Sequence, residues 1–89
     1  MTNTQRHRKV CELFTWDVFA DGGAGGVTDD RDAARRHVRE GLAEAPPGTW
    51  GRVRRVALCP LGRAVYVDLG PVAEACRDTA SGTVTWREA

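Results

Sequence analysis

The stretch Trp16-Asp17-Val18-Phe19-Ala20-Asp21-Gly22-Gly23-Ala24-Gly25-Gly26-Val27-Thr28-Asp29-Asp30, with the patterned run that follows it to Leu42, decides the fold. Phe14, Trp16 and Val18 alternate with Thr15 and Asp17, the period of a strand with one wet face. Leu13 and Phe19 fall on the other parity, so that face is not wholly polar. The strand is expected over Val10–Ala20. Asp21-Gly22 is a hairpin signal, because a tight primed turn needs a positive φ that Asp and Gly tolerate, and Gly23 to Gly26 leaves a longer loop open. A short return strand then runs from Gly25 to Thr28. A helix begins near Asp29 or Asp30, capped by Thr28 or Asp29. Ala34, Val38, Leu42 and Ala45 form its buried stripe, and Pro46-Pro47-Gly48 ends it.

Two features of this stretch invite a ligand, and both have a simpler origin. The glycines lack the Lys-Ser/Thr of a phosphate loop and the Gly-x-Gly-x-x-Gly spacing of a dinucleotide site, so they read as a turn. Asp29, Asp30 and Asp32 sit where the helix dipole favours negative charge, so capping accounts for them without a metal. Asp32 with Arg36, and Arg36 with Glu40, have the spacing of solvent-side ion pairs. Arg35 and Arg39 lie on another flank with fewer partners.

Further along, Trp50–Cys59 reads as a strand. Arg52, Arg54, Val56 and Leu58 share one face, and Val53, Arg55, Ala57 and Cys59 the other. The mixed parity around Arg54-Arg55 predicts a bulge. Pro60-Leu61-Gly62 turns the chain. Arg63–Leu69 alternates with Val65, Val67 and Leu69 inward, and Gly70-Pro71 is expected to end that strand. Val72–Arg77 suits a hairpin with Thr83–Glu88 about Asp78–Gly82, the favoured reading, or a short helix led by Pro71. The order is ββαββββ or ββαββαβ: an α+β fold with a mainly antiparallel sheet of about five to six strands and one amphipathic helix on one face. Trp16, Val18, Val38, Leu42, Val65, Val67 and Trp86 are the expected core.

Eighty-nine residues make one domain, assigned to 10–89, with 1–9 as a disordered basic arm. The net charge of +1 gives no global pull toward nucleic acid. The charge is uneven, however: four arginines and no acid lie between Glu44 and Asp68. Cys11, Cys59 and Cys76 are odd in number and form no Cys-x-x-Cys, which fits free, mostly buried thiols in a reducing cytoplasm better than a disulfide framework or zinc site. The start of the chain lacks the apolar stretch of a signal peptide, and no apolar run reaches the roughly 20 residues of a membrane span.

No catalytic motif is present. Ser81 is the sole serine and sits in a turn, far in sequence from His7 and His37. Cys59 before Pro60 is the one candidate reactive thiol, near Arg55 or Arg63. The chain is therefore expected not to be an enzyme and to need no cofactor, metal or small-molecule ligand. The candidate surface is Arg52, Arg54, Arg55, Arg63 and Tyr66, with Arg6, Arg8 and Lys9 of the arm. Guanidinium forks hold phosphates and rings stack on bases. The competing reading pairs these arginines with Asp17, Asp68 or Glu74 across strands. The leading expectation is a protein-interaction or regulatory accessory domain, binding another protein or itself through open sheet edges. A weak DNA- or RNA-binding module is the alternative.

Two resemblances attach to these residues. The strand, glycine turn and capped helix over 14–42 look loosely like the small three-stranded DNA-binding domains at the start of tyrosine integrases, without the third strand that precedes the helix there. The run from Trp16 to Val38, with Arg outnumbering Lys twelve to one, resembles small uncharacterised α+β proteins of GC-rich actinobacterial genomes. That likeness implies origin and fold class and carries over no functional residue.

Overall fold

The alternation at Phe14, Trp16 and Val18 becomes an inner strand of a sheet in the computed structural model, which describes residues 12–20, 22–58 and 66–89. Strand β1 (Glu12–Phe19) turns into β2 (Ala24–Thr28), helix α1 (Arg31–Ala43) follows, and β3 (Trp50–Leu58), β4 (Tyr66–Arg77) and β5 (Val84–Glu88) complete the order. The five strands lie as β2-β1-β3-β4-β5. Every neighbouring pair is antiparallel. The sheet is thus the expected antiparallel one, with the helix packed on one face. β1 lies between β2 and β3, so the hairpin and the helix together carry the chain across the sheet.

The helix follows the spacing of its apolar residues. Ala34, Val38 and Leu42 are fully buried and Ala45 nearly so. They meet Phe14, Val18, Val53 and Ala75 from the sheet. Approach is close because two glycines face the contact. A Cβ on Gly41 would lie 2.9 Å from Val18 Cγ2, and one on Gly51 would lie 2.9 Å from Val38 Cγ1 and 2.7 Å from the Asp17 carbonyl oxygen. Trp16 and Trp86, expected in the core, are half-buried at its margin. Phe14, Val53, Ala73 and Ala75 fill its centre instead. Trp16 lies over Gly26, its β2 partner.

Several local expectations shift. The cap is Asp30, whose side chain accepts from the Asp32 amide, while Thr28 Oγ1 accepts from the Asp30 amide. Thr28 therefore shapes the approach to the helix, two residues before the cap. The β1–β2 connection spans residues 20–23, longer than a two-residue turn, with the Gly23 amide bonded to the Ala20 carbonyl at 2.8 Å. Gly70-Pro71 does not end a strand: β4 runs through both. Two register shifts against β3, flanking Arg54-Arg55, absorb them. Gly70 takes a φ of 119° and donates its amide to Asp68 Oδ1 at 2.8 Å. A bulge is where proline and a positive φ fit a sheet. Val72–Arg77 is strand, as the hairpin reading has it.

Val67 and Leu69 were expected to point into the core, yet are 47% and 39% exposed. The cause is length. A helix of 13 residues spans about 20 Å at a rise of ~1.5 Å per residue. β4 has 12 residues and extends about 40 Å at a rise of ~3.3 Å per residue. The end of the β3–β4 hairpin outruns the helix that would bury it. Val65, Arg63, Cys59, Cys11 and the expected arm over 1–9 lie outside the described residues.

Candidate functional site

With the helix on one side, the parity of each strand assigns the other side of the sheet. Leu13, Thr15, Asp17 and Phe19 of β1 point away from the helix. Register carries that face to Gly25 and Val27 on β2, to Trp50, Arg52, Arg54, Val56 and Leu58 on β3, and on to β4 and β5. None of the described elements covers it.

Two rows cross this open face. In the first, Asp17, Arg52, Glu74 and Arg87 stand opposite one another on four adjacent strands. Their charges alternate −, +, −, +. Arg52 Nε lies 3.7 Å from Asp17 Oδ2, and Arg87 Nη2 lies 3.0 Å from Glu74 Oε1. In the second row, Phe19, Trp50, Cys76 and Thr85 are aligned. Phe19 and Trp50 stack with centroids 4.2 Å apart at 24°, and Arg52 reaches over the Phe19 ring at 5.2 Å. Both rings stay in water, at 40% and 42% exposure. Beside them is a depression of about 380 Å³ lined chiefly by Trp50, Glu74, Cys76, Thr85 and Arg87.

Of the residues singled out from sequence, Arg52 and Arg54 lie on this face. Arg54 binds Asp68 through Nε at 3.1 Å and through Nη2. That bond, followed by the Gly70 amide, holds the Asp68 carboxyl below its ordinary value. Arg55 falls on the opposite parity and pairs with Glu12 at 3.2 Å. Tyr66 shares the open face but stands opposite Leu58, four residues along β3 from Arg54. Arg63, Arg6, Arg8 and Lys9 lie outside the described residues. The described arginines of β3 are thus each matched with a carboxylate, through Asp17 and Asp68 as the competing reading supposed and through Glu12, which it did not name.

The remaining polar groups build structure. His37 is exposed and stacks on Trp16 with centroids 4.8 Å apart. Ser81 hydrogen-bonds Asp78 Oδ2 and Thr83 Oγ1 within the β4–β5 turn, and the Ser81 hydroxyl and amide hold Asp78 below its ordinary value. Arg35 does not lack a partner: it forks onto Glu88 at 3.1 and 2.7 Å and lies over Trp86 at 4.6 Å. Among the described residues no ion pair joins Arg36 to Asp32 or Glu40. Cys76 is exposed, against the expectation of buried thiols. Among the described residues no three His, Cys, Asp or Glu side chains gather as a metal site, and no helix is long and apolar enough to cross a membrane. A wider hollow of about 620 Å³ at the end of α1 is walled by Phe19, Gly41, Glu44, Ala45, Pro47 and Thr49 among others. Among the described residues of its walls, Glu44 is the one ionisable side chain.

The Phe19–Trp50 stack was not foreseen. Its signal was present: Phe19 breaks the polar parity of β1, and Trp50 opens a strand whose same-parity neighbour is Arg52. What was missing was the register that places the rings side by side. Comparison with known proteins found no matching family model, no matching curated protein and no matching solved structure.

Proposed function

We propose that this chain is a non-enzymatic interaction domain of the cytoplasm that docks a protein partner on the open face of its sheet. One observation carries the reading: a stacked Phe19–Trp50 pair held in water at the end of a sheet face that none of the described elements covers. Aromatic rings beside arginines are the residue types enriched at protein interfaces. Val27, Leu58 and Tyr66 extend the apolar surface of the same face, at 48%, 39% and 48% exposure. The free thiol of Cys76 suits a reducing compartment.

The experiment is photo-crosslinking in the native host, with a photoreactive phenylalanine analogue at Trp50 and, as control, at Arg39 on the helix. Protein adducts from position 50 and none from position 39 are expected. Equal yields from both, or none from either, overturn the reading. Weak DNA or RNA binding is the second reading, favoured by Arg52, Arg54 and Tyr66 sharing one face. The carboxylates beside those arginines weigh against it, since they offset the charge a phosphate would meet and Asp68 already holds the Arg54 fork. Fluorescence anisotropy on duplex and single-stranded oligonucleotides at low salt tests it. Binding through these arginines weakens with salt at a slope of about −0.9 per neutralised duplex phosphate.

A further inference from the structure

We propose that the open face binds a second copy of this chain, as a two-fold dimer in which the two charged rows lie against each other; the inference rests on the interaction-domain reading. The row Asp17-Arg52-Glu74-Arg87 carries −, +, −, + across β1, β3, β4 and β5. A two-fold axis parallel to the strands, between the Arg52 and Glu74 columns, reverses the row without moving it along the strands. Asp17 then faces the partner's Arg87, and Arg52 faces the partner's Glu74. By symmetry the other two positions are matched as well, so each charge in the row meets its opposite. A two-fold axis along the row sets each charge against its own kind, which is repulsive. The pattern therefore selects one of the two face-to-face arrangements, as isologous interfaces require of a single patch.

The second row completes the fit. The same axis places Trp50 over the partner's Cys76 and Phe19 over the partner's Thr85. Cys76 and Thr85 line the depression beside Trp50, so each copy sets its aromatic pair against the other's hollow. Sheets packed face to face are rotated by roughly 30° and lie ~10 Å apart. Four strands at a spacing of ~4.8 Å make the row about 14 Å wide, so its ends sit about 7 Å from the axis. The rotation displaces those ends by about 4 Å, a gap the long side chain of Arg87 spans. Arg87 is held by Glu74 at 3.0 Å and otherwise stands in water, with 83% of its side chain exposed.

Sedimentation equilibrium of the full chain over a range of concentrations, with charge-swapped variants, tests the dimer. The unaltered chain is expected to pass from monomer to dimer, with weaker association at high salt. Arg87→Glu alone and Asp17→Arg alone each place like charges against each other twice and raise the dimer dissociation constant about tenfold or more. Mixed one to one, they restore association, because only the heterodimer matches both contacts. Arg52→Glu with Glu74→Arg provides a second, independent mixing pair. Circular dichroism confirms that each variant is folded, and the pair whose members both fold is the one scored.

A chain that stays monomeric at every concentration overturns the proposal, as does a mixture that associates no better than its components. Crosslinking distinguishes this failure from failure of the broader reading. Adducts from position 50 to a different protein, with a monomeric chain, end self-pairing and leave the interaction domain standing. No adducts and no dimer end both.

Discussion

Gly51 shows how one residue sets the distance between layers. It sits on β3 opposite Val18, beneath Val38 of the helix. A methyl group there would meet backbone at 2.7 Å, and backbone cannot swing aside. Gly51→Ala is therefore expected to cost about 1–3 kcal/mol through overpacking, read from urea unfolding midpoints. Burial separates two apolar positions that look alike in sequence. Leu42 is fully buried, and Leu42→Ala should cost about 2–5 kcal/mol. Val67 is 47% exposed, and Val67→Thr should cost about 0.5 kcal/mol or less, as exposed substitutions do. Equal losses at Leu42 and Val67 would show that the hairpin end is covered after all. Alternation alone marked Val67 as inward. Its direction was legible, but what lay in that direction was not.

At the scale of elements, the helix has a start written into its own sequence and an end supplied from elsewhere. Asp30 caps the N-terminus from the adjoining residue. No basic side chain occupies the last turn. Arg77, at the end of β4, takes that role. Its Nη1 donates to the Ala43 and Ala45 carbonyls at 3.2 and 2.6 Å, and its Nε donates to Gly82 in the following turn at 3.1 Å. One guanidinium thus ties the helix C-terminus, β4 and the β4–β5 turn together. Arg77→Ala leaves several carbonyls unpaired at a partly buried site and should cost about 1.5–3 kcal/mol. Arg77→Lys should recover only part of this, since an ammonium lacks the planar fork. Full recovery in the lysine variant would mean that charge alone matters. The β4–β5 hairpin stood beside a short-helix alternative, while the helix, the first hairpin and strand parity were readable from spacing, because they arise between residues near in sequence. The continuity of β4 through Gly70-Pro71 was not. Those two residues signal a break when taken alone, and only the facing strand offers the bulged register that holds them.

For the whole molecule, carboxylates distributed over the surface make folding sensitive to acid. Arg35 holds Glu88 below its ordinary value, Arg54 does so for Asp68, and Ser81 for Asp78. A lowered native value means that the unfolded chain binds more protons in acid. These contacts therefore stabilise fully above the ordinary carboxylate values of 3.8 for Asp and 4.5 for Glu. The stabilisation is lost as pH falls through the lowered ones. Thermal midpoints should thus decline from about pH 5 downward. Glu88→Gln should flatten the decline, because a side chain that cannot titrate contributes no slope. An unchanged slope in that variant would place the acid sensitivity elsewhere.

The sequence by itself determined the fold class, the capped helix and its buried stripe, and the face on which each β3 arginine lies. Each of these follows from periodicity and from the turn chemistry of neighbouring residues. Only the tertiary structure decided which carboxylate each arginine meets, where the helix stops covering the sheet, and that Phe19 and Trp50 stack in water beside an alternating row of charge. Those outcomes depend on strand register and on the relative lengths of helix and sheet. Both are set by contacts between residues dozens of positions apart, and no local pattern encodes them.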